Sequence, residues 1–186
     1  MGVVALSFPQ GDLRRAAVVS TFVSVGNATQ PFTRLLEAVC ELAAQLPQPI
    51  FVQFGAAKSF VCPDCTGVAF LEMGAFAEHV RAADLLILHA GAGSVLHALR
   101  AGKTPVVMPR RTSLGELVDD HQFEFSRELE KTGKVLVAHD AATLSQAAVA
   151  ALQRQRLSSG AAISEPPLVG MVRHALSRAM IGGSDA

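Results

Sequence analysis

Short apolar runs closed by glycine alternate along this chain with stretches of helical periodicity. "AAVVSTFVSVG" (16–26) is rich in valine and ends in glycine, which predicts a buried strand. In "QPFTRLLEAVCELAAQL", Phe32, Leu35, Leu36, Val39, Leu42 and Leu46 recur at helical spacing, with Pro31 suited to the first turn. "PIFVQFG" (49–55) is a second strand and "GVAFLEM" (67–73) a shorter third. A short helix, "AFAEHVRAA", leads to a fourth strand, "DLLILHAG". "GSVLHALRAG" is a helix stopped by Gly102, and "TPVVMPR" is a fifth strand. "SLGELVDDHQFEFSRELEKTG" holds a loop and a helix stopped by Gly133. "KVLVAHD" is a sixth strand, and "AATLSQAAVAALQRQ" a closing helix with Asp140 as N-cap.

The strands are nearly continuous apolar runs rather than alternating ones, which suits strands covered on both faces. The predicted fold is therefore α/β: a Rossmann-like open parallel sheet of about six strands with helices on both faces. Residues 16–157 form the domain. Residues 1–15 read as an N-terminal extension, and 158–186 as a linker ("SSGAAISEPP") and a C-terminal helix or tail.

Composition narrows the function classes. Lys plus Arg equals Asp plus Glu, at 16 each, so the basic excess that phosphate neutralisation on nucleic acid demands is missing. With no Trp and no Tyr, stacking platforms for single strands are disfavoured. Cys40, Cys62 and Cys65 make an odd count, which fits a reducing compartment. Cys62-Pro-Asp-Cys65 has no second pair at zinc-finger spacing and precedes a strand rather than following one. It reads as loop thiols, without metal. No apolar run is long enough to cross a bilayer.

Ligands of open parallel sheets collect beyond the carboxyl ends of the strands, and this chain puts its unusual loops there. "SVGNATQP" follows the first strand, "HAGAGS" the fourth and "PRRTSLGE" the fifth. At Gly91 to Ser94 a helix begins, and its first amides lack partners within the helix, so they favour an anion such as a diphosphate. A tight turn with close helix packing explains the same glycines. The sequence matches neither GxxxxGK[ST] nor a GxGxxG beside the first strand, so P-loop ATPases and dinucleotide dehydrogenases are disfavoured.

"HAGAGS", "LGELVDDHQ" and "TFVSVGNATQPFTRLL" together resemble the C-terminal, donor-binding domain of glycosyltransferase family 28, over about residues 18–151. The likeness is greatest to stand-alone subunits of split enzymes, bacterial ones serving exopolysaccharide assembly and the eukaryotic one acting on dolichol diphosphate. The resemblance implies half of a GT-B fold and a UDP-sugar-binding subunit of an inverting glycosyltransferase. It also implies a lipid-linked sugar acceptor, a membrane-anchored acceptor-binding partner, and a cytoplasmic place at the membrane's inner face. No cofactor or metal is implied. Gly91, Ala92, Gly93 and Ser94 would cradle the diphosphate. Glu116, Asp119, Asp120, His121 and Gln122 would face the nucleotide or donor sugar, and Gly26 and Asn27 would line the reacting centre, with His121 grouped among the catalytic residues. Relatives usually carry a glutamate for the ribose hydroxyls where this chain has His97. Two alternatives stay open: a non-catalytic nucleotide-sugar-binding subunit, and a UDP-sugar epimerase-like protein.

Other residues have two readings each. His89 is either a structural histidine bonded to a loop carbonyl or a catalytic one. Asp119 and Asp120 either cap the next helix or reach the ligand. Arg110 and Arg111 either pair with phosphate or lie at the surface.

Overall fold

The computed structural model describes residues 20–57, 60–119 and 121–158. The predicted extension, linker and C-terminal helix lie outside the described residues, as do residues 16–19 of the first predicted strand and Asp120.

Six strands form one sheet: β1 (Thr21–Ser24), β2 (Ile50–Gln53), β3 (Cys65–Val68), β4 (Leu85–His89), β5 (Val106–Met108) and β6 (Leu136–Val137). Every pairing is parallel, in the order β3-β2-β1-β4-β5-β6. Such parallel pairs need crossover connections, and among the described residues helices supply all of them except the one from β2 to β3, which is a loop. The helices are α1 (Thr33–Leu42), α2 (Met73–Ala82), α3 (Ala92–Arg100), α4 (His121–Lys131) and α5 (Ala141–Ser158).

Alternation along the strands feeds two cores. Val23, Leu85 and Ile87 pack on one face with Leu35 and Val39 of α1 and Leu144 of α5. Phe22, Leu86 and Leu88 pack on the other face with Val80 of α2, Val95 of α3 and Phe125 of α4. The four central strands, β2, β1, β4 and β5, thus bury both faces, which is why their runs carry so few polar residues, while the edge strands β3 and β6 are more exposed.

Most predicted elements stand, with shifts that have physical causes. Pro31 precedes α1 rather than opening it, since Phe32 is the N-cap. The third strand lies earlier than "GVAFLEM": it is Cys65–Val68, and Phe70 to Glu72 have left the sheet before α2 starts at Met73. Gly67 is required there, because a Cβ would come within 2.3 Å of the Val52 carbonyl oxygen. Asp140 caps α5 as predicted, its Oδ1 accepting from the Thr143 amide at 2.8 Å.

The Cys62–Cys65 turn, closed by the Cys65 amide on the Cys62 carbonyl, packs against the core rather than standing free. The Cys40 thiol reaches the neighbouring Val61 carbonyl at 3.7 Å. Burial and the adjacent Cys62 push the Cys40 thiol up to about 11, and Cys65 higher still. Thiolates are the reactive form, so both thiols should resist iodoacetamide at pH 7.5 in the folded protein and label readily in urea. Mass spectrometry of the two samples checks this; equal labelling rates would refute it. Among the described residues, no group of three or more His, Cys, Asp or Glu is placed to hold a metal ion.

Candidate functional site

The strand order reverses between β1 and β4: the chain runs outward from β1 to β3, then returns to β4 and runs the other way. Their crossovers leave on opposite faces and open a crevice at the carboxyl ends. A cleft of about 340 Å³ occupies that point. Gly26 and Asn27 after β1, Gln53 at the end of β2, and His89 to Ser94 around the β4–α3 turn contribute to its wall, Ala90 excepted. His97 one turn further along α3, and Leu71, Met73 and Phe76 from the segment around the start of α2, complete it.

The α3 end is uncapped. Gly91 is the N-cap residue without a side-chain bond, and the first bond of the helix runs from the Val95 amide to the Gly91 carbonyl at 3.1 Å. Among the described residues, nothing accepts from the amides of Ala92, Gly93 or Ser94. Three donors and the helix dipole therefore face the cleft with nothing to bond but solvent or a guest.

The two glycines of this turn have different reasons. A Cβ at Gly93 would meet nothing within 4 Å, so that position borders open space. At Gly91 a Cβ would come within 2.3 Å of His89 Nε2, and at Gly26 within 2.4 Å of the same ring. Gly26 also has φ +78°, a conformation that side chains disfavour. Gly26 and Gly91 thus flank one imidazole. Close approach at Gly91 is made by the protein's own histidine.

His89 ends β4 with its Nδ1 donating to the Ser24 carbonyl at 3.3 Å, a backbone bond as the structural reading expects, but to the last residue of strand β1 rather than to a loop. It nevertheless lines the cleft. Burial, then the Arg110 charge, pull its pKa down to about 4, against the small upward pull of the Ser24 bond. The ring is neutral at pH 7, and with Nδ1 protonated, Nε2 holds the free lone pair. Such a group favours the folded state fully above pH 6.5. The advantage is lost as the pH falls toward 4, because the unfolded chain takes up the proton first. About 3 kcal/mol of stability should disappear over that window. Urea titrations at pH 7 and pH 4.5 check this against His89→Asn, whose pH dependence should be flatter.

Beneath the cleft a polar chain fixes the loop after β1. Ser24 Oγ donates to Gln53 Oε1 at 2.7 Å, Gln53 Nε2 donates to Asn27 Oδ1 at 2.7 Å, and the Gly26 amide donates to Ser24 Oγ at 3.2 Å. Asn27 is held by its neighbours, with its amide nitrogen left for a guest.

The residues expected from the β5–α4 loop stand differently. Glu116 is not part of the cleft wall. Its carboxylate takes a two-pronged bond from Arg34, at 3.0 and 2.8 Å, and one from the Arg111 amide at 2.8 Å. Burial pushes its pKa up, but the bonds from Arg34 and Arg111 and the charges of Arg34 and Arg110 outweigh this, holding it below the usual range. Gln122 accepts from the Arg110 amide at 3.2 Å. His121 is exposed, 3.4 Å from Asp119, whose carboxylate also accepts from the His121 amide; this is the capping reading of Asp119. Asp120 lies outside the described residues.

Arg110 fits neither of its sequence readings. It is 1% exposed, so it is not a surface residue, and its guanidinium donates only to carbonyls, those of Gln30, Glu116 and Val25, at 2.8 to 2.9 Å. It lies over the Phe32 ring at 4.6 Å. Nothing in the sequence marks it off from Arg111, since burial of a cation depends on which carbonyls the loops happen to aim at it. Gln53, Leu71, Met73 and Phe76 were also missed. For Gln53, which ends β2, and for Leu71 and Met73, shortly past β3, the signal was position; Phe76 lies within α2 and carried none.

A mostly uncharged cleft at the switch point of a six-stranded parallel sheet, with a bare helix N-terminus in its wall, defines an α/β domain of the doubly wound, ligand-cleft type. The glycosyltransferase family 28 C-terminal domain matches residues 20–159, well over half of the chain, and the protein belongs to that family. It is similar to the UDP-N-acetylglucosamine transferase subunit ALG13 of Yarrowia lipolytica, 48% identical over 58 residues, 31% of this chain and 28% of that one. The human protein of the same name is 43% identical over 56 residues, 30% of this chain and 5% of its own length. The matched stretch therefore spans less than a third of either relative. The glycotransferase of kitacinnamycin superposes with a TM-score of 0.54 at 18% identity, over 98% of this chain and 44% of that one, which is a likeness of fold.

Proposed function

We propose that this chain is the donor-binding, catalytic subunit of a two-part glycosyltransferase, taking a UDP-sugar and transferring the sugar with inversion to a lipid-linked acceptor. The observation that carries the reading is the trio of free amides at the start of α3, facing a cleft at the sheet's switch point. A diphosphate seated there gains the helix dipole and three directed donors. The chemical step is displacement of UDP, and the protein lowers its barrier by holding the leaving diphosphate in a preorganised field. That field comes from the helix end, without a metal.

The described wall of the cleft holds no carboxylate. In this reading the base that activates the acceptor hydroxyl comes from a second, membrane-anchored subunit. Met73, 67% exposed, lines the cleft, and Phe70, 55% exposed, directly precedes the cleft residue Leu71. Exposed apolar groups around a cleft are what a docking half would cover. In this reading the membrane anchor belongs to the partner; among the described residues no helix is long and apolar enough to cross a membrane.

A thermal-shift panel tests the donor assignment. At about 100 times its dissociation constant, a ligand specific for the folded state adds about 2.7 kcal/mol. For a domain of this size that corresponds to a rise of roughly 5–10 °C. UDP and UDP-sugars should produce it and adenosine diphosphate should not. Absence of any shift at millimolar UDP-sugar would sink the reading.

A further inference from the structure

We propose that Arg110 is a positioning residue: from behind the cleft wall it clasps the loop after β1 to the loop after β5, fixing Gly26 against the His89 imidazole and adding a buried positive charge to the surroundings of that ring. Its Nη2 donates to the Val25 carbonyl, immediately before Gly26, while Nη1 bridges the Gln30 and Glu116 carbonyls. Its own amide is tied to Gln122 near the start of α4. One side chain thus fixes the two ends of the Gly26–Asn27 loop and the loop that carries Glu116.

The electrostatic half of the role follows from what surrounds His89. The ring is flanked by Gly26 and Gly91 and bonded to the Ser24 carbonyl, none of them ionisable. Gln53 on the β2 side is neutral, and His97 is the other titratable group in the wall. From the loop after β5 comes Arg110, whose charge adds to burial, the larger cause, in disfavouring a cation at His89. Glu116 is the counter-charge nearby, and it is already engaged by Arg34 and the Arg111 amide. Two guanidiniums and one carboxylate leave a net positive charge behind a wall that has no charged residue of its own. His89 Nε2 then remains an acceptor, so the wall adds no mobile proton, and the anion preference of the site rests on fixed groups.

The part concerning the donor rests on the function proposed above, but the titration of His89 does not. The experiment is a nitrogen-15 histidine titration of the free full-length protein by NMR from pH 4 to 8, with the His89 signal assigned from His89→Gln. Wild type should show an Nδ1-protonated neutral ring that stays neutral at pH 5.5. An ordinary midpoint near pH 6.5 or the opposite tautomer would overturn the proposal, without needing any variant to fold. In Arg110→Met, which keeps contact with Phe32, the midpoint should rise above the wild-type value, while burial, the larger cause, keeps it below 6.5. Arg110→Lys should keep the low midpoint through its charge, yet lose the clasp. A midpoint unmoved in folded Arg110→Met would overturn the electrostatic role. Both variants should weaken UDP protection about tenfold or more in apparent affinity; full protection would overturn the clasp. If wild type itself binds no UDP while His89 titrates as described, the donor reading fails and the positioning of His89 stands.

Discussion

Gly26→Ala should destabilise the protein by about 3 kcal/mol and abolish protection by UDP. Two costs combine. The residue sits at φ +78°, where a side chain costs roughly 1–2 kcal/mol. Its Cβ would also land 2.4 Å from the His89 ring, an overpacking that costs roughly 1–3 kcal/mol. The ring has little room to retreat, because the Gly91 backbone also lies against it, so closely that a Cβ there would be 2.3 Å from Nε2. Gly93→Ala is the control. Nothing lies within 4 Å of its Cβ, and alanine in the first turn of α3 should leave the free protein as stable or up to about 1 kcal/mol more so. The added methyl would still border the space assigned to the diphosphate, so UDP protection should fall. Urea denaturation with and without UDP reads both variants. A Gly26→Ala protein as stable as wild type would show that the ring is not wedged. A Gly93→Ala protein with full protection would show that the guest does not approach there.

Glu116→Ala should cost about 3–5 kcal/mol, the usual result of leaving a buried cation without its partner. Glu116 is 6% exposed and its oxygens answer Arg34 twice and the Arg111 amide once. Arg34 would keep only its bonds to the Pro109 and His139 carbonyls, and Arg110 would lose its nearby counter-charge. Glu116→Gln keeps the shape and part of the hydrogen bonding, so its loss should be smaller. The pH dependence separates charge from packing. Because the folded-state pKa of Glu116 lies below 4.5, its contribution is present above that value and is lost as the pH falls through the folded-state value. Glu116→Gln should therefore flatten the stability curve below about pH 4.5 and leave the His89 window between 6.5 and 4 intact. Stability measured by urea at a series of pH values checks this. An unchanged acid limb would mean that Glu116 is not held as an anion.

The cleft itself was readable because its placement follows from topology. Glycine-ended strands alternating with helices imply a parallel sheet, and a parallel sheet implies a site beyond its carboxyl ends. Gly26, Asn27, Gly91 to Ser94 and His97 meet there. Glu116 and Gln122 were read as ligand-facing because they sit in a polar run after β5. The fold turns both inward onto arginines, and that choice depends on Arg34 arriving from 82 residues away in sequence. The short third strand was misplaced because apolar content at Phe70 and Leu71 serves the cleft and its rim rather than the sheet.

The sequence by itself determined the layer pattern, the order of strands and helices, the N-cap at Asp140, the bare turn at the start of α3 and the family. All of these depend on local periodicity or on neighbours a few residues apart. The tertiary structure alone decided that His89 is wedged between two glycines, that Arg110 is buried among carbonyls, and that Glu116 belongs to Arg34. The physical reason is that a polar side chain's partners are set by which distant loops fold over it. Burial then converts those partners into fixed charge and protonation, which no single stretch of sequence records.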